Sequence, residues 1–154
     1  MLSDKEIQEI RDEISHYPYA KAVVPEALRI VQRSRGWVSD QAIAEIGELL
    51  GVSAEDVDGV ATFYSLIFRK PVGRHVILAC DSVSCWITGS DGVRDRLQAR
   101  LGIRPGDTTS DGRFTLLPIA CLGACDRGPV MMVDSDLHEK VTPRGIDEIL
   151  EGYR

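Results

Sequence analysis

No apolar run in this chain of 154 residues approaches the ~20 needed to cross a bilayer as a helix. Basic residues are also scarce: 18 Lys and Arg stand against 24 Asp and Glu, for a net charge of −6. That balance argues against nucleic acid as a ligand, because phosphates demand clustered positive charge. The opening residues, Met1-Leu2-Ser3-Asp4-Lys5-Glu6, hold neither a basic start with an apolar run nor an Arg-rich amphipathic leader. The expectation is a soluble protein kept in a reducing compartment. Cysteine is sparse too, with four residues and no C-x-x-C pair. A thioredoxin-type dithiol needs that pair at a helix start, and a disulfide framework does not fit a reducing compartment. What remains is ordinary globular composition, 44% hydrophobic and 27% charged, in a length that suits one core or two small ones.

The first part of the chain reads as helices with short loops. Ser3 and Glu6 form a capping box, and Ile7, Ile10 and Ile14 then share one helical face. A second helix runs from Pro25 through Leu28 and Val31 to a stop at Gly36. A third starts after Ser39, buries Ala42, Ile43, Ile46 and Leu50, and ends at Gly51. Ser53 caps a fourth, short one carrying Val57 and Val60. This is a small bundle, and nothing in it carries chemistry by itself. His16 and Trp37 read as surface and packing residues.

The stretch Ala61 to Phe68 breaks that pattern, and Arg69 to Gly73 follow it. It is either a packed junction between two lobes or an apolar surface that another subunit covers, since a small lobe does not readily hide Phe63, Tyr64 and Phe68.

From His75 the chain alternates strand and helix. His75 to Ala79 is a buried-type strand running into Cys80, and a helix spans Val93 to about Leu101 after Ser90-Asp91-Gly92. Asp111-Gly112 marks a hairpin turn before a strand from Phe114 to Ala120. Pro129 to Val133 is another strand, Asp134-Ser135-Asp136 its turn, and His138 to Val141 one more short strand. Thr142-Pro143 opens a last helix through Ile146, Ile149 and Leu150. The order β-α-β-β-β-α gives a mixed sheet with helices on it.

The four cysteines organise this half. Cys80 and Cys85 are spaced C-x4-C, Cys121 and Cys125 C-x3-C, and 35 residues separate the pairs. Each pair follows the end of a strand, so strands lying side by side would deliver four thiolates to one edge. Structural zinc prefers tighter knuckles of the C-x2-C type, with C-x4-C at its permissive limit. A 2Fe–2S cluster takes two thiolates per iron and suits wider loops. Gly123, Ala124, Ser82 and Ser84 are small enough for backbone N–H groups to approach the sulfurs, and Leu122, Trp86 and Val83 offer an apolar screen. The residues favour iron–sulfur over a zinc-stabilised interaction module without closing the question.

The motifs go further. Cys80-Asp81-Ser82-x-x-Cys85, Cys121-Leu122-Gly123-x-Cys125-Asp126-x-Gly128-Pro129-x-Met131-Met132, Gly59 to Ser65 and Asp111 to Thr115 are spread along the chain. Together they resemble the thioredoxin-like 2Fe–2S ferredoxin subunits (the E type) of NADH:quinone oxidoreductase, respiratory complex I, over nearly the whole chain. The resemblance implies a four-helix N-terminal bundle at 1–70 and a thioredoxin-like domain with a mixed sheet at 71–154. Cys80, Cys85, Cys121 and Cys125 are then the ligands of one 2Fe–2S cluster. It implies an electron-transfer component of an oxidoreductase that docks on a flavoprotein carrying FMN and NADH, among other peripheral-arm subunits. The chain would have no NADH site of its own, and no G-x-G-x-x-G or P-loop pattern occurs here. No membrane insertion is implied, and the complex places the chain in the cytoplasm against the inner face of the bacterial plasma membrane. Equivalent modules serve NAD-linked hydrogenases and formate dehydrogenases.

Three smaller expectations complete the reading. Asp81 and Asp126 each follow a cysteine, so their charge opposes reduction of a cluster unless water screens it. With four cysteines present, His75 and His138 are expected to pack rather than ligate. Of Met131 and Met132, one faces the core and the other faces outward.

Overall fold

The computed structural model describes residues 1–153 of the chain. It divides into two compact units, Met1–Pro71 and the residues from Val72 onward.

In the first unit the helix boundaries follow from caps. Ser3 closes a full capping box with Glu6 at the start of α1 (Asp4–Ile14). A 3-10 turn, Ala20–Val23, leads into α2 (Val24–Arg35), with Pro25 in its first turn and Gly36 ending it in the left-handed region at φ 81°. Ser39 caps α3 (Asp40–Leu50), which stops at left-handed Gly51, and Ser53 caps α4 (Ala54–Phe63). Ile10, Val24, Leu28, Val31, Ile46, Val57 and Ala61 are wholly buried in one shared core. Each full-sized aliphatic side chain there contributes about 1.5–3 kcal/mol by leaving water. The same core takes Ile43 and Leu50, as the pattern predicts, but not Ile14. That residue ends α1 and is exposed, because the last turn of a helix outruns the surface it packs on.

α4 runs one turn past Val60, since neither glycine nor proline interrupts Ala61-Thr62-Phe63. Beyond it, Phe63, Tyr64 and Leu66 are exposed while Ile67 and Phe68 are half-buried. Gln32 fastens this segment, donating to the Leu66 carbonyl at 2.7 Å and accepting from the Phe68 N–H at 2.6 Å. Arg69 then ties it to Asp58 and Asp40.

The second unit is built on a four-stranded mixed sheet, order β2-β1-β3-β4. The strands are β1 (His75–Cys80), β2 (Phe114–Ile119), β3 (Met131–Val133) and β4 (Asp136–His138). β1 and β2 are parallel in the register His75↔Phe114 to Cys80↔Ile119; β3 runs antiparallel to both β1 and β4. Between β1 and β2 lie α5 (Val83–Ile87) and α6 (Ser90–Leu101), and α7 (Ile146–Glu151) follows β4. Ile77, Leu97, Met131, Val133 and Ile146 are completely buried in the core between sheet and helices.

Two expectations need correction here. α5 is an element the sequence pattern does not predict: its five residues are too few to show a helical period, and only the Ser82 cap announces it. β4 spans Asp136–His138 rather than His138–Val141, because the turn takes just Asp134 and Ser135, with Asp134 at φ 54°. Asp134 also receives the Val76 N–H at 2.9 Å, which fixes that turn to the start of β1. The Asp111-Gly112 turn is present, with Gly112 at φ 66° and Thr108 bridging back to Thr115.

Candidate iron–sulfur site

Because β1 and β2 are adjacent and parallel, the loops that follow them leave the sheet at the same edge. Cys80 is the last residue of β1, and the ladder continues one step past it, with the Asp81 N–H donating to the Ile119 carbonyl at 2.8 Å. Cys121 lies two residues beyond the end of β2. All four cysteines are free thiols.

The first loop is formed by Ser82. Its hydroxyl accepts from the Cys85 N–H at 3.4 Å, starting α5, and lies 3.6 Å from the Cys80 sulfur. On this short helix Cys85 takes the inward position and is wholly buried. Val83 and Trp86 fall elsewhere around the helix, at about 100° per residue, and point outward, 67% and 58% exposed. They are therefore not the screen the sequence suggested. Ala124, Val130 and the half-buried Leu122 pack against Cys80 and Cys85 instead. Thr88 closes the far end, donating to the Ser84 and Cys85 carbonyls at 3.1 and 3.0 Å.

The second loop turns on Gly123, whose φ of 78° is costly for any residue with a Cβ. Its N–H donates to the Cys121 sulfur at 3.3 Å. Cys125 opens a 3-10 turn, Cys125–Arg127, and its sulfur lies 3.5 Å from that of Cys121; both are exposed. Gly128 follows, joined to Pro129 by a cis peptide bond. A Cβ on Gly128 would meet the Thr88 hydroxyl at 2.8 Å and the Cys85 sulfur at 3.5 Å, so this loop needs a glycine to lie over the first.

Burial, neighbouring sulfurs and hydrogen bonds to sulfur together set the thiol acidities. Burial pushes the Cys80 thiol up, but donors from Ser82 and the Leu122 backbone outweigh it and the net shift is downward. Burial also raises Cys85, against a donor from the Val130 backbone and with Cys80 alongside. Cys125 is raised by the neighbouring Cys121 sulfur. Two pairs of thiols, three of the four with N–H donors to sulfur, are the kind of donor set that two irons with two thiolates each require. Among the described residues, no three His, Cys, Asp or Glu side chains surround a single point as one metal ion requires.

The remaining candidates fall elsewhere. His75 is packed between Phe114 and Tyr153, with Nδ1 2.7 Å from Asp134, and His138 reaches the Tyr153 hydroxyl at 2.9 Å. Met131 is buried and Met132 half-buried. His16 sits by Glu13 at 3.2 Å. Sequence reasoning values Ser82 only for its size; the S-x-x-C spacing of a helix cap is the signal for its second role. Thr88 and Arg94, which bears on Asp81, give no such signal.

Known proteins bear on this site. Residues 10–154 match the profile of the Thioredoxin-like [2Fe-2S] ferredoxin family. The chain is 57% identical to the E-type subunit of the NADH-quinone oxidoreductase of Salmonella typhimurium, over 99% of this chain and 92% of that one. The corresponding subunits of Escherichia coli K12 and Pseudomonas aeruginosa are 56% and 54% identical over the same shares. Among solved structures, an NAD+-reducing [NiFe]-hydrogenase superposes with a TM-score of 0.70 at 25% identity, covering 82% of this chain and 22% of that one.

Proposed function

The chain belongs to the thioredoxin-like 2Fe–2S ferredoxin family, and on that premise we propose that it is the electron-carrying subunit of a bacterial NADH:quinone oxidoreductase, with Cys80, Cys85, Cys121 and Cys125 holding its one 2Fe–2S cluster. The observation that carries the reading is that the loops bearing the two thiol pairs leave the same edge of the parallel β1–β2 pair, with Gly128 of the second loop lying over the Cys85 sulfur of the first. A 2Fe–2S group supplies a store for one electron, cycling between roughly −2 and −3 with its four thiolates. The chain's own part is to hold and tune it. Ser82 and the Leu122, Gly123 and Val130 N–H groups offer hydrogen bonds to sulfur, which favour the more negative state. Leu122, Ala124 and Val130 keep water from the buried pair, while Cys121 and Cys125 face out, where an electron partner can approach.

That partner is a flavoprotein subunit bearing FMN and NADH, alongside other peripheral-arm subunits. The chain lies in the cytoplasm, peripheral to the inner face of the plasma membrane. No helix of the described residues is long and apolar enough to cross a membrane. Residues 1–70 serve as a four-helix bundle that supports assembly, and 71–154 as the redox domain. The likeness to an NAD+-reducing hydrogenase favours a second reading, the same diaphorase module in a hydrogenase, but the 57% identity to a quinone-reductase subunit weighs more.

The test is an EPR and visible spectrum of the anaerobically purified full chain, before and after dithionite, with metal and sulfide assays. About two irons and two sulfides per chain, with a rhombic signal only on reduction, are expected. A colourless protein with one zinc and no sulfide would overturn the reading in favour of a structural module.

A further inference from the structure

Asp81 follows Cys80 directly, so their Cα atoms are ~3.8 Å apart. Its carboxylate is not free. Arg94, on the second turn of α6, reaches Asp81 with one guanidinium nitrogen and Asp91 with the other. The Arg94 side chain is 24% exposed, so its fork is fixed between two carboxylates and partly shielded from water. A guanidinium keeps its charge at every working pH. Asp126, the acid after Cys125, is placed differently: it is 79% exposed, and its nearest cation, Arg127, stands off at 3.7 Å while bonding Glu139 through its other end. Water and salt screen such a loose pair.

We propose that Arg94 is a charge-setting residue of the iron–sulfur site: anchored on Asp81 beside Cys80, its fixed positive charge offsets that acid and favours the reduced, more negative state. This rests on the four cysteines holding a 2Fe–2S cluster. It changes what the two ligand-adjacent acids do. Asp81, Arg94 and Asp91 together carry a net charge of −1, so removing Asp81 brings the group to 0 and removing Arg94 takes it to −2 beside Cys80. Asp91, at the first turn of α6, holds the guanidinium from its far side.

An EPR-monitored redox titration of the full chain tests this, with iron per chain measured for every variant. Arg94→Gln is expected to lower the midpoint potential and Asp81→Asn to raise it. Arg94→Lys stays near the parent, and the double variant Asp81→Asn/Arg94→Gln returns toward it. Opposite signs from the two halves of one ion pair are the signature of charge; a mere clamp on the loop would move both variants the same way. Midpoints that shift together, or that match the parent with iron retained, overturn the proposal. If Arg94→Gln does not retain iron, Asp81→Asn decides: a rise supports the proposal, and no change or a fall sinks it. Loss of the cluster from both single variants would make the pair structural and also sink it. A parent chain without two irons would mean instead that the cluster reading itself has failed.

Discussion

The two cysteine loops differ more than their similar spacing suggests. The first is closed by a strand end, a capped helix and a threonine bonded back to two carbonyls, and its thiols are buried. The second is a glycine turn and a 3-10 turn, and its thiols are exposed. One loop anchors and the other opens. On the proposed function this division has a use: the buried pair would fix the site in the core, and the exposed pair would face a redox partner.

The comparison breaks most sharply at the cysteines proposed as ligands. Cys85→Ser is expected to remove the cluster and destabilise the second unit, because a hydroxyl then replaces a sulfur packed against Cys80, Ala124 and Val130. Cys121→Ser is expected to lose iron with little effect on the melting temperature of the apoprotein. Iron assay and calorimetry of both apo variants check this; equal melting temperatures would erase the distinction between anchored and open loops.

The helical unit provides an independent reference. Glu6 is nearly buried, held by two nitrogens of Arg35 at 2.8 and 2.6 Å and by Ser3 and Ser34. The Arg35 hydrogen bonds, against the opposing cost of burial, bring its carboxyl from 4.5 down to about 2. Its stabilisation is thus complete above pH 4.5 and is lost as pH falls toward about 2. The loss amounts to about 2 kcal/mol once partial solvent screening is allowed for. Denaturation followed by helical circular dichroism across that window should show the loss, and Glu6→Gln should flatten it. An unchanged slope in that variant would remove Glu6 as the cause.

The smallest effects sharpen the comparison within the loops. Ser82→Ala removes a cap and the hydroxyl 3.6 Å from the Cys80 sulfur, and Gly123→Ala forces a Cβ into the left-handed region; each costs about 1 kcal/mol. Chemical denaturation should show both losses in the apoprotein. Of the two, Ser82→Ala is expected to slow cluster uptake more, because it disorders the buried pair. The reverse ranking would place the organising role in the second loop.

Much of this molecule is legible along the chain. Ser3, Ser39 and Ser53 announce three helices, Gly36 and Gly51 end two, and the strand before each cysteine pair is visible as an apolar run. The four cysteines, as candidates, follow from spacing and resemblance. Less visible are α5, whose five residues complete barely more than one turn, and the start of β4, which a two-residue turn sets. Leu122, Val83 and Trp86 look equivalent as shields, yet only Leu122 packs on the buried thiols.

The elements, their caps and the family are written in the chain itself, because caps, turns and apolar periods act over four residues or fewer and need no distant partner. Folding in three dimensions settled the rest: that β1 lies beside β2, that Cys85 turns in and Trp86 out, and that Arg94 reaches back to Asp81. Those outcomes depend on which surfaces compete for burial and which charges meet across the fold. Pattern along the chain does not carry that information; packing does.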